Sequence, residues 1–186
     1  MLCLYENLIQ MLMRHLRMAF ALMVLNFLYL VPAYADAEDM DRELKIKIAY
    51  LYHFSQFTQW SKPLSTLNYC VFDDVAISEL LKTTFIGKNS TGTIKLAVHA
   101  VTEQDDLDLC QIIYFPHIAS KEILNSIYHK PILSVGGQKD FIQLGGIIYL
   151  FEEDQKIRFF INNNDAQEAN LKINSQLLAL SRLPLL

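Results

Sequence analysis

The spacing of apolar residues changes period several times along the chain, and the changes mark out alternating helices and strands. From Glu43 the stretch ELKIKIAYLYHFSQFTQW puts apolar residues at 46, 50, 54 and 57, which describes one helical face. That helix is expected to stop before Lys62-Pro63, because the residue ahead of a proline avoids the helical region. Asn68–Asp73 predicts a short strand. Ile77–Phe85 predicts a helix closed by Gly87, and Lys88–Gly92 a turn. Thr93–Val101 alternates as a second strand, and Cys110–Phe115 is a third, buried one. Ser120 is placed to cap a helix running through Tyr128, with Glu122 in its first turn. Pro131–Val135 is a fourth strand, and Gly136-Gly137 opens a short helix near Asp140–Leu144.

The stretch Gly145–Asn162 then gives two apolar runs, Ile147–Phe151 and Ile157–Ile161, around the charged segment Glu152–Lys156. This is a β-hairpin pattern. The runs are nearly continuous, so at least one strand is covered on both faces. Ala166–Ala169 makes a turn or two of helix, and Asn170 suits a left-handed helix end. Leu171–Ile173 is extended, and Asn174 or Ser175 caps a last helix carrying Leu177, Leu178 and Leu180.

Strands alternating with helices predict a single α/β domain with a mostly parallel sheet and helices on both faces. Right-handed crossovers make the flavodoxin-like strand order the simplest arrangement. The late hairpin, with strands near 147–151 and 157–161, adds an antiparallel strand at one edge.

Composition changes this picture at the start of the chain. Residues 13–35 read as a secretory signal peptide, with Arg14, His15 and Arg17 ahead of the apolar run Met18–Val31 and an Ala33-Tyr34-Ala35 cleavage pattern. At 14 residues the run is shorter than the roughly 20 a membrane span needs. Cleavage is expected after Ala35, and residues 1–12 fit a start codon assigned too far upstream. The domain is then 36–186, or 151 residues, with 14 Lys and Arg against 19 Asp and Glu, about −5 in formal charge. That balance argues against nucleic acid or anionic lipid as partners.

Cleavage leaves two cysteines, Cys70 and Cys110. In an exported chain they are a disulfide candidate, with two buried thiols as the alternative. The expected strand order favours the bond, since the first and third strands become neighbours about 4.8 Å apart.

No familiar catalytic pattern is present: no G-x-S-x-G, S-x-x-K, H-E-x-x-H, C-x-x-C or phosphate loop. The four histidines after the leader (53, 99, 117 and 129) lack metal-ligand spacing, and the acids of Glu103–Asp108 read as a solvated loop. The expectation is a protein without catalytic residues, metal or cofactor.

Several motifs in order resemble the YfiR/HmsC family of bacterial periplasmic regulators. They are Ala49–Phe54 with Phe57 and Trp60, then Cys70-Val71, then Cys110–Tyr114, then Ile132–Val135 followed by Phe141 and Gly145-Gly146. The most specific is Lys156–Asn162, with Ala166, Leu171, Ser175, Leu177 and Leu178 after it. The chain departs from the family at Phe72-Asp73-Asp74, where a glycine is usual, and at Asn170, where Ala-Gly-Leu is usual. It also lacks the late second cysteine pair of some members, so redox behaviour tied to that pair does not transfer.

The resemblance implies a periplasmic inhibitory protein. It would bind the periplasmic domain of an inner-membrane diguanylate cyclase, lower cyclic di-GMP output and so restrain biofilm formation. Related domains also occur beside sensor kinases, and a homodimer fits the class. The motif positions Trp60, Gly145, Gly146, Arg158, Phe159 and Asn162 are structural or partner-facing. Phe159 and Ile161 are expected in the core, whereas Arg158 either pairs with an acid, caps a carbonyl or meets the partner. The rival reading is a periplasmic small-ligand sensor acting with a membrane histidine kinase. Its pocket would lie at the carboxyl ends of the strands near Gly136-Gly137.

Overall fold

A computed structural model describes residues 11, 13–18, 20, 32–90 and 94–183. It divides into two units, residues 1–44 and 45–186. In the first, the described residues are helical. Most of the expected leader core, 18–31, lies outside the described residues. Among those described, no helix is long and apolar enough to cross a membrane.

Helix α1 spans Pro32–Gln56 and runs through the Ala35-Asp36 bond. It starts well ahead of the expected Glu43. A proline is tolerated in a first turn, where backbone N–H groups have no helical acceptor. It also ends earlier than periodicity predicts. Thr58–Trp60 is strand β1, paired antiparallel with β9 (Leu171–Ile173), so that Trp60 opposes Leu171. The partner lies more than a hundred residues away, and local periodicity carries no sign of it.

The remaining strands are β2 (Thr66–Phe72), β3 (Asn89–Ser90), β4 (Ile94–Val101), β5 (Ile112–Phe115), β6 (Leu133–Gly136), β7 (Ile148–Glu153) and β8 (Lys156–Ile161). They form one sheet in the order β3-β4-β2-β5-β6-β7-β8. The run β4-β2-β5-β6-β7 is parallel throughout, and taken in chain order it is the flavodoxin-like 2-1-3-4-5. β8 adds the antiparallel edge. The short β3 adds an unanticipated antiparallel strand at the other edge.

Pleating sends alternate β2 side chains to opposite faces. On one face Tyr69 meets α1 and α2 (Val75–Thr84): its hydroxyl bonds Ser55 Oγ at 2.6 Å, and its ring lies 4.8 Å from that of Phe85. On the other face Cys70 and Phe72 join a cluster with Ile123, Leu124 and Ile127 of α3 (Lys121–Ile127), together with Phe115 and Phe141. β5 is buried along its whole length, as its unbroken apolar run requires.

Most local expectations hold, with shifted limits. α2 begins at Val75 and is capped by Asp74, whose carboxylate accepts from the Ile77 N–H at 2.8 Å. Ser120 caps α3. Asn162 caps α4 (Asn163–Glu168), Asn170 is left-handed at φ 57°, and Asn174 caps α5 (Ser175–Leu178). The hairpin turn is tighter than Glu152–Lys156. The strands run on through Glu153 and from Lys156, leaving Asp154-Gln155 as a two-residue loop with both φ positive, the pattern of a type I′ turn.

The short helix expected at Asp140–Leu144 is a hydrogen-bonded turn instead. Gly145, at φ 96°, reverses the chain directly after it.

The outer edge of β8 is occupied. The Tyr50 hydroxyl donates to the Ile157 carbonyl at 3.2 Å, and the Arg182 N–H donates to the Phe159 carbonyl at 2.9 Å. Ser181 Oγ accepts from the Ile161 N–H at 2.9 Å.

Candidate functional site

Cys70 and Cys110 are bonded, with their α-carbons 5.9 Å apart. Cys70 sits within β2, and Cys110 closes the 3-10 turn Leu107–Leu109 just ahead of β5. Both are buried in the α3-side cluster. The bond ties the two central parallel strands together, and neither sulfur is available as a nucleophile.

Beside Gly136, where the rival reading places a pocket, the space is filled. The Phe141 ring is fully buried and packs directly on Gly136 and Gly146. A β-carbon at either glycine would overlap that ring, so both positions need glycine for close approach. The Tyr128 ring covers Gly145 less severely, 3.1 Å from where a β-carbon would sit, and the φ of 96° there itself favours glycine. Gly145 and Gly146 are therefore packing positions. Phe141 was legible as one apolar residue between glycines, but its role as the plug depends on the fold.

At the β1–β9 sheet, Trp60 is half-buried and its indole N–H donates to the Pro131 carbonyl at 3.0 Å. It borders an open groove of about 450 Å³ with Asn163, Gln167 and Asn170. The hydrogen bond makes Trp60 an anchor between distant segments.

The hairpin divides the remaining motif residues between two faces. Phe159 is buried, with its ring 5.1 Å from Phe54 and 5.4 Å from Tyr50. Asn162 ends the strand: its N–H donates to the Ile147 carbonyl at 2.9 Å, and its side chain exchanges hydrogen bonds with Asp165. Arg158 points to the other face, opposite Phe151, while Phe160 opposes Tyr149. These four side chains are half-buried, and the Tyr149 and Phe151 rings stack at 5.3 Å. Among the described residues, Arg158 neither pairs with an acid nor caps a carbonyl. Its Nε is buried without a hydrogen-bond partner, and it enters none of the ion pairs among the described residues. The hairpin alternation could have shown that Tyr149, Phe151 and Phe160 share its face.

Titrating groups elsewhere form small surface pairs. His117 Nε2 lies 3.1 Å from Asp74 Oδ2, and His129 Nε2 lies 3.6 Å from Glu168. Burial, with Glu168 nearby and His129 opposing, raises the Asp165 carboxyl above its ordinary range. Asp165 and Glu168, with some desolvation, raise the Tyr128 phenol. In the acidic loop, hydrogen bonds from Thr102 hold Asp105 below its ordinary value. Among the described residues, no group of three or more His, Cys, Asp or Glu is placed to hold a metal ion.

No curated protein matches the chain at a significant level. Residues 44–182 match the DUF4154 family, described as YfiR/HmsC-like, from within α1 to just past α5. With the parallel sheet, the buried disulfide and the hairpin motif in place, the chain belongs to the YfiR/HmsC-like family.

Proposed function

We propose that this chain is a periplasmic inhibitory protein. It binds the periplasmic domain of an inner-membrane diguanylate cyclase, lowers cyclic di-GMP output and restrains biofilm formation. The observation that carries the reading is the family match over residues 44–182. The Cys70–Cys110 bond suits an oxidising compartment. Export would be directed by the leader, which is removed after Ala35.

Inhibition of this kind requires only a difference in affinity between the receptor's inactive and active states. A tenfold preference for the inactive state shifts the equilibrium by about 1.4 kcal/mol. The ligand-sensor reading loses ground because Phe141 fills the space between Gly136 and Gly146.

The test is genetic and biochemical. A deletion strain should show raised cyclic di-GMP, and the tagged protein should co-purify with a membrane diguanylate cyclase through its periplasmic segment. Unchanged nucleotide levels together with no cyclase in the purified fraction would reject the reading.

A further inference from the structure

We propose that Arg158 and the aromatic face around it are the docking surface for the protein partner, with a carboxylate of that partner taking the Arg158 guanidinium. The inference rests on the regulatory reading above and adds the face, its anchor and the partner's chemistry.

The β7–β8 hairpin uses its two faces differently. Ile157, Phe159 and Ile161 are buried, and Phe159 packs on α1. Tyr149, Phe151, Arg158 and Phe160 lie on the opposite face and stay half-buried. Tyr149 also packs on the α3-side core cluster, so this face is continuous with a firm base.

Arg158 is out of place in the free chain. A guanidinium carries five donors and cannot shed its charge, and buried polar groups in folded proteins are nearly always satisfied. Here Nε is buried with no acceptor. A shortage of acids does not explain it, since the chain has 20 Asp and Glu against 16 Lys and Arg. Glu153, two positions along β7 from Phe151, shares the face and still forms no ion pair with it.

An arginine sharing a face with three aromatic side chains, with Glu153 and Lys156 at its far end, has the composition enriched in interface hot spots. With Nε itself buried, a carboxylate would meet the guanidinium end-on, through two parallel hydrogen bonds from the terminal Nη groups. A free inorganic anion would satisfy the charge but leave the open sides of three half-buried rings uncovered. An acidic segment of a protein covers both. Approach is through the face, because Tyr50, Ser181 and Arg182 occupy the strand edge beside it.

Two measurements on the full chain test this. First, purified Arg158→Leu should melt within about 2 °C of wild type or above it, since it loses no internal partner. A clearly lower Tm would make Arg158 a fold-holding residue and overturn the proposal. Second, the diguanylate cyclase that co-purifies with wild type should bind Arg158→Leu and Arg158→Glu at least about tenfold more weakly. Changing one acidic residue of its periplasmic segment to lysine should restore binding to Arg158→Glu. Wild-type affinity in both variants would overturn the proposal while leaving the inhibitory reading intact. Wild-type protein that binds no cyclase would remove both.

Discussion

Cys70 is bonded to Cys110 across neighbouring parallel strands, and the bond lies inside the sheet's buried cluster. It closes a loop spanning 40 residues that contains α2, β3 and β4. On the chain-entropy model a loop of that size contributes about 4 kcal/mol. Cys70→Ala/Cys110→Ala should therefore lower the melting temperature by roughly 10 °C. Wild type in reductant should move the same way. Thermal denaturation followed by circular dichroism measures both, and equal melting points would show that the bond does not set stability.

Phe141 should be the most sensitive residue at the carboxyl ends of the strands. Phe141→Ala leaves a cavity over Gly136 and Gly146, at a cost of about 3–5 kcal/mol. Gly146→Ala should be destabilising through overlap with the ring and with the Phe141 carbonyl, by about 1–3 kcal/mol. Combining the two should cost less than their sum, because removing the ring relieves the overlap. Urea titration of the four proteins reads the coupling.

Asn162 and Asp165 act together at the start of α4. Asn162→Ala loses the cap and should cost about 1 kcal/mol. Asp165 also gives stability a pH dependence. Its carboxyl is raised in the folded state by burial and then by Glu168, so the folded chain holds that proton more tightly than the unfolded chain. The contribution is full below the ordinary aspartate value, about 3.9, and is lost as pH rises through the higher folded value. Asp165→Asn should flatten that part of the stability profile. Denaturant midpoints across acidic pH, compared with wild type, provide the check.

Tyr69 should resist ionisation for as long as the chain stays folded. Burial pushes its phenol far above the ordinary range, and the hydrogen bond with Ser55 opposes this only in part. Because the folded value is raised, its contribution to stability is present below about pH 10 and is lost as pH climbs further. Alkaline absorbance titration should show one tyrosine that ionises only on unfolding, and Tyr69→Phe should remove that phase. Tyr69→Phe should cost about 1 kcal/mol, the net value of one buried hydrogen bond.

What could be read in advance follows from the range of each interaction. The parallel strands announced themselves through short apolar runs and, at Thr93–Val101, through alternation, and right-handed crossovers then left few orders to choose from. Asn170 and Asn174 were legible because a left-handed helix end and an N-cap are local needs. β1 was not, because Thr58–Trp60 becomes a strand only through Leu171–Ile173. Nor was the start of α1, since Pro32–Ala35 read as the end of a leader and the polar stretch after it carries no periodic signal. At the candidate interface, the sequence picked out Arg158 but not its isolation. That depends on where every carboxylate ends up, which pattern alone does not say.

The occupied edge of β8 has a consequence for how the chain meets copies of itself at high concentration. A bare, apolar outer strand is a template on which a like chain can add and keep adding. Tyr50, Ser181 and Arg182 take up three of the groups such growth would use. The chain can thus present the half-buried aromatic face proposed for docking without offering its backbone as a seed for fibres.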